Sequence, residues 1–221
     1  MSKLFNSSLS QSVGDLTNWK QEDCGLTGET THGKFRVLVY NNNTVRIQVT
    51  REKQFEDFSY AVIASPQASS ISVLDQPTAI VLKIPGFVLT ISKAPVRFSF
   101  YTHLNELINE DDAFGTSWSG EQVTTYKKLQ SSERFLGLGE KTGPLDRRGH
   151  GYENYNTHKF AYYPNGGPLY CSMPFYMGVH HNLSYGIFFD NSFKSYFNFG
   201  ASNDRFSSFG ADAGEMNYYF I

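Results

Sequence analysis

Between Glu133 and Tyr170 the chain gathers glycines, adjacent arginines, carboxylates, histidines and tyrosines into one loop-rich block. It runs Glu133-Arg-Phe-Leu-Gly-Leu-Gly-Glu140, Lys141-Thr-Gly-Pro-Leu-Asp-Arg-Arg148, then Gly149-His-Gly-Tyr-Glu-Asn-Tyr-Asn-Thr-His158, and is closed by Pro164-Asn-Gly-Gly-Pro168. Irregular segments on a rigid scaffold carry function more often than the scaffold does. Asn156, Thr157 and His158 supply planar and hydroxyl hydrogen-bonding groups. Tyr152, Tyr155, Phe160, Tyr162 and Tyr163 supply aromatic faces. A few placed polar groups among apolar walls are what a small-ligand site needs. A surface loop whose aromatics pack down onto a sheet accounts for the same composition.

Other candidates point less clearly to a site. Gly137 and Gly139 permit close backbone approach, but the third glycine of a dinucleotide fingerprint is missing and no helical pattern follows. They read as a strand ending in a tight bend. Arg147 and Arg148 offer rigid forks, and pairing with Asp146, Glu140 or Glu153 is the expected fate of at least one. His180 and His181 are adjacent and fit a turn before Asn182 better than a metal site. Glu133, Glu140, Glu153 and Glu215 show no spacing that selects a general acid/base pair. The expectation is no catalytic residue, no metal ligand and no cofactor in this chain.

The elements that must position this block follow a period of two. Thr44–Thr50 places Val45, Ile47 and Val49 on one face, with Arg46 and Gln48 on the other. It pairs with Phe35–Tyr40 across Asn41, Asn42 and Asn43, since asparagine accepts the positive φ of tight turns. Ala79–Lys83 and Val88–Ser92 form a second hairpin across Pro85-Gly86, and Val96–Tyr101 continues it after Pro95. Further strands are expected at Gln122–Lys128, Phe135–Leu138, Tyr185–Asp190, Ser195–Phe199, Arg205–Gly210 and Met216–Phe220. No amphipathic helix of ten or more residues is evident. Many short strands separated by turn signals predict an all-β fold, a large antiparallel β-sandwich. Residues 1–30 are polar and read as a partly ordered lead-in with a first strand around Ser12–Trp19. Residues 31–221 read as the sandwich.

The composition agrees. The chain has 221 residues, 40% hydrophobic and 18% charged, with 19 Phe and 14 Tyr that suit strands and aromatic contact alike. A net charge of -2 without a basic run gives nucleic-acid binding no electrostatic support. No stretch approaches the ~20 apolar residues of a membrane span. Cys24 and Cys171 form no ligand spacing and are expected as free thiols. The sequons at Asn6, Asn42 and Asn182 are too short a pattern to argue from, and localisation stays open.

The block and its surroundings resemble the N-terminal domain of glycoside hydrolase family 31. The resemblance is carried by Gly137-Leu-Gly-Glu-Lys-Thr-Gly143 with Leu145-Asp-Arg-Arg-Gly149, and by Leu169-Tyr-Cys-Ser-Met-Pro-Phe175. Phe55-Glu-Asp-Phe-Ser-Tyr60, Lys93-Ala-Pro-Val-Arg-Phe-Ser-Phe100 and Tyr185-Gly-Ile-Phe-Phe-Asp-Asn191 extend it. It implies a galactose-mutarotase-like sandwich that packs on a following (β/α)8 barrel and supplies a loop to the sugar pocket of a retaining α-glycosidase. The barrel's two carboxylates would be nucleophile and acid/base; a barrel needs ~250 residues and is absent here. The resemblance places Asn156, Thr157 and His158 at the substrate, an α-linked oligosaccharide or glycoside. Family members often carry Asn-Thr-Asp there, so His158 is a departure that bears on specificity. A stand-alone carbohydrate-binding sandwich and an aldose epimerase are the alternatives.

Overall fold

The computed structural model describes residues 10–67, 71–163 and 166–221. The Asn6 sequon and the Pro164-Asn165 tip lie outside the described residues. Among those described, no helix occurs. Eighteen strands follow in chain order: β1 (Gln11–Ser12), β2 (Leu16–Glu22), β3 (Gly25–Thr30), β4 (Lys34–Asn41), β5 (Thr44–Thr50), β6 (Ser72–Asp75), β7 (Ala79–Lys83), β8 (Val88–Lys93) and β9 (Val96–Tyr101), then β10 (Leu107–Ser119), β11 (Gln122–Lys128), β12 (Arg134–Gly139), β13 (Gly151–Asn154), β14 (Ser172–His180), β15 (Leu183–Phe189), β16 (Ser195–Asn198), β17 (Phe206–Ala211) and β18 (Met216–Phe220).

All pairings are antiparallel. One sheet has the order β13-β16-β17-β11-β10-β9-β8-β7-β6, with β1 added to β10, and the other β12-β14-β15-β18-β5-β4-β3-β2. Their facing surfaces form one core. Phe35 meets Phe98 edge-on with ring centroids 5.4 Å apart, and Phe100 stacks on Phe220 at 3.6 Å. Val45, Ile47 and Val49 point into this core, as their alternation requires. The fold is the all-β antiparallel sandwich that the strand pattern implies.

Three features differ from a plain alternating reading. The outer face of β5 is covered as well: Arg46 and Gln48 are buried beneath residues 51–67, which run across the sheet. Gln48 donates to the carbonyl of Glu56 at 2.8 Å and Arg46 to Asn217 Oδ1 at 2.9 Å. Polar groups survive burial there because each finds a partner. Second, residues 11–30 hold three strands and the buried Val13 and Leu26, where their polar composition suggests one strand around Ser12–Trp19. Third, the longest strand, β10, contains Glu110-Asp111-Asp112, which breaks the apolar alternation; the register shifts between Asp111 and Thr116.

The turns obey local chemistry. Neither Asn42 nor Asn43 has positive φ; instead Asn41 Oδ1 accepts from the Asn43 amide at 2.8 Å and closes the first hairpin. His181 and Asn182 do have positive φ, 46° and 62°, and form the two-residue turn between β14 and β15. His180, just before it, is buried with Nε2 2.7 Å from the Ile108 carbonyl.

Candidate functional site

β12 and β13 are the end strands of their respective sheets. The block from Glu133 to Cys171 therefore closes one open edge of the sandwich. Residues 155–171 cross from β13 in one sheet to β14 in the other. β12 bends sharply: Gly137, Leu138 and Gly139 all have positive φ, and the pairing with β14 shifts register there. A Cβ on Gly137 would lie 2.5 Å from the Phe175 carbonyl oxygen, so the close approach of β14 depends on glycine.

The charged residues of the block hold its backbone. Asp146 accepts from Arg134 Nη1 at 2.6 Å and from the amides of Phe135 and Arg148 at 3.1 and 3.0 Å. Burial works to raise its carboxyl, but these hydrogen bonds outweigh that and hold it below the usual carboxylate range. Arg147 donates to the Pro144 carbonyl at 2.7 Å and lies over the Tyr152 ring at 5.3 Å. Arg148 donates to the carbonyls of Gln130 and Glu133. The expected carboxylate partner of these two arginines is thus replaced by backbone carbonyls, because the chain curls around each guanidinium. Glu140 accepts from the Cys171 amide at 3.2 Å. Glu133 is buried, accepts from Tyr185 Oη at 2.7 Å and from the Gln130 amide at 2.9 Å, and is raised chiefly by burial.

The loop itself is pinned at both ends. The Tyr155 amide donates to Ser172 Oγ at 3.0 Å, and the Ser172 amide donates to Asn156 Oδ1 at 2.8 Å. The Thr157 amide donates to the Leu169 carbonyl at 2.9 Å, and Thr157 Oγ1 to the Tyr155 carbonyl at 3.0 Å. Beyond these anchors His158 is exposed and stands edge-on to Tyr170 at 5.6 Å. Phe160 is 95% exposed, and Tyr155, Tyr162 and Tyr163 are also exposed.

A groove of about 590 Å³ lies beside this loop. Its walls are the crossing segment at Glu56, Phe58 and Tyr60, the loop start at Asn154–Asn156, the 190–193 turn, and Glu215 with Asn217. Of the three expected site residues, only Asn156 lines it, and its side-chain oxygen is occupied in holding Ser172. Thr157 and His158 lie outside the groove on the same loop. Buried Asn154 presents an amide with no partner at either end among the described residues, and Asp190 Oδ2 is likewise unpaired. Glu215 is raised, burial being the largest cause. Phe58, Tyr60, Asn154 and Asp190 escape a reading that seeks clustered chemistry, since they join from three distant segments. The signal present was the Phe55–Tyr60 motif.

These features define a class: a two-sheet antiparallel supersandwich with an aromatic-rimmed groove and a loop projecting from its open edge. The glycosyl hydrolase 31 N-terminal galactose mutarotase-like domain matches residues 34–198. The chain belongs to that family. It is 30% identical over 210 residues to alpha-glucosidase 2 of Bacillus thermoamyloliquefaciens, covering 94% of this chain and 27% of that protein. It superimposes on a GH31 dextranase of Flavobacterium johnsoniae, solved with glucose, with TM-score 0.89 and 30% identity over 96% of this chain and 26% of the dextranase. The alpha-1,4-glucan lyase of Gracilariopsis lemaneiformis shares the fold at TM-score 0.82 and 18% identity, covering 98% of this chain and 28% of the lyase. The chain spans about a quarter of the length of these relatives.

Proposed function

We propose that this chain is the accessory N-terminal domain of a retaining α-glycosidase. Its substrate is an α-linked oligosaccharide or glycoside, and its partner is the catalytic (β/α)8 barrel of the same parent chain. The observation that carries this reading is the match of a glycosidase N-terminal domain across most of a chain about a quarter as long as its relatives. The exposed aromatics around the 155–171 loop and the groove support it, because a surface this apolar is a docking face. In this reading the loop presents Asn156, Thr157 and His158 toward the sugar. Asn156 and Thr157 set the loop backbone through their bonds to Ser172 and Leu169, and His158 offers its ring to substrate hydroxyls. The barrel carboxylates, ~5 Å apart in a retaining enzyme, perform the displacement and the hydrolysis. In this reading residues 1–30 are the lead-in and residues 31–221 the sandwich, with β2 and β3 of the lead-in extending one of its sheets.

A panel of aryl α-glucoside, α-galactoside and α-xyloside tests the proposal on this chain alone and on the chain continued by its barrel. Turnover is expected only with the barrel. Turnover by the 221-residue chain alone would overturn the reading. Sugar binding without turnover in either form would favour a stand-alone carbohydrate-binding sandwich, which the exposed aromatic rim also suits; mutarotation by this chain would favour an epimerase. In the barrel-bearing chain, His158→Ala should lower kcat/KM about tenfold, the scale of one lost hydrogen bond in the transition state, with Tm unchanged.

A further inference from the structure

A second cavity, of about 190 Å³, lies between the bend after β12 and β13. Three of its wall residues are Gly151, Gly166 and Gly167, so its side-chain chemistry comes from Lys141, Thr142, Tyr152 and Glu153. Two of these are already engaged. Thr142 Oγ1 donates to the Gly166 carbonyl at 3.1 Å, and Glu153 pairs with Lys194 at 2.7 Å. The other two are not: Lys141 Nζ and Tyr152 Oη are buried and have no hydrogen-bond partner among the described residues. An ammonium withdrawn from water without a counter-charge is costly, and so is an unpaired hydroxyl. The surroundings supply the missing charge only in part: Glu140 and Cys171 act on Lys141 through space but make no hydrogen bond to it. Arg147 adds a second cation against Tyr152, and Glu140 is bonded to the Cys171 amide.

We propose that the Lys141–Tyr152 cavity is a socket for a single carboxylate group, with the ammonium and the phenol donating to its two oxygens. Two donors without a partner among the described residues, a lining carboxylate, Glu153, already paired with Lys194, and a volume suited to a small planar anion define that chemistry. The state of Lys141 agrees: burial first, and then repulsion by Arg147, push its ammonium down to about 8. A bound carboxylate, an opposite charge within hydrogen-bond reach, would oppose both effects and raise the ammonium again. The carboxylate has two possible sources, a free small acid or an Asp or Glu side chain of a docked catalytic barrel. The socket stands on this chain alone; only the second source rests on the reading given above.

The test is carbon-13 NMR of the reductively methylated chain, with the Lys141 signal identified by Lys141→Arg. In chloride its titration midpoint is expected near 8. Replacing chloride by acetate at constant ionic strength should raise the midpoint by about 1–3 pH units, the effect of an adjacent opposite charge. Tyr152→Phe should weaken the acetate response several-fold while leaving the midpoint in chloride in place. No movement, movement with phosphate but not acetate, or an unchanged acetate response in Tyr152→Phe would each overturn the socket. In a chain continued by the barrel, a Lys141 signal already at an ordinary lysine value and indifferent to acetate assigns the socket to a barrel side chain. A signal that still responds assigns it to a free acid.

Discussion

Lys127 has its ammonium fully buried between the two sheets, 2.6 Å from Asp111 Oδ1 and 3.1 Å from Tyr218 Oη. Asp111 Oδ2 also accepts from the Phe98 amide at 2.9 Å. Removing one member strands the other charge, so Lys127→Met should cost about 3–5 kcal/mol in urea unfolding. Replacing both charges with apolar residues should recover much of that loss. A single-variant cost below about 1 kcal/mol would mean that Asp111 finds another partner. Glu133 carries a different signature. Burial raises its carboxyl, so the folded state holds that proton more tightly than the unfolded chain. The stability contributed by this group therefore grows as pH falls through the raised value toward the ordinary one, and the cost of the buried charge is fully present above it. Unfolding free energies measured from neutral to mildly acidic pH should show wild type gaining on Glu133→Gln. Parallel profiles would contradict a raised carboxyl. Neither residue's role could be read from its neighbours in sequence: Asp111 and Lys127 lie in different strands, and the partner of Glu133, Tyr185, is 52 positions away.

Among the elements, β12 depends on a glycine held at positive φ. Gly137 has φ 125°, and an added Cβ would press on the Phe175 carbonyl. Gly137→Ala should destabilise by about 1–3 kcal/mol and lower Tm, whereas Gly151→Ala, whose Cβ meets nothing closer than 3.8 Å, should leave Tm nearly unchanged. Equal effects would mean that β14 can move away. Short apolar strands such as β5, β7, β8 and β18 were legible because side-chain alternation is a local property. β10 was not, because its acidic triplet is tolerated only where Lys127 of β11 and Arg205, in the turn before β17, answer it. The burial of Arg46 and Gln48 was hidden for a similar reason: a strand's pattern states which residues share a face, not what later covers that face.

For the whole molecule, the open edge of the sandwich concentrates exposure. Phe58, Tyr60, Tyr155, Phe160 and Phe193 are more than half exposed, and four of the five line or border the groove. If a barrel docks there, hydroxyl-radical footprinting should find Phe58, Tyr60 and Phe160 reactive in this chain alone and protected when the barrel follows. Phe114, half exposed in a cluster with Tyr126 and Phe206, serves as an internal reference. Unchanged reactivity of Phe58 and Tyr60 would place the docking face elsewhere on the sandwich.

The sequence by itself determined the fold class, most strand positions, the free cysteines and the family. It also singled out the 133–170 block as the region of interest. Each of these rests on local alternation, local turn chemistry or contiguous motifs. Only the tertiary structure decided what that block does with its charges. It turned Arg147 and Arg148 inward to backbone carbonyls, used Asn156 as an anchor, and left His158 exposed on the loop. It also assembled the groove from segments more than 100 residues apart and left Lys141 and Tyr152 without a partner among the described residues in one cavity. A side chain's partners are set by which strands the sandwich brings to the same edge, and that depends on long-range pairing that no short window of sequence contains.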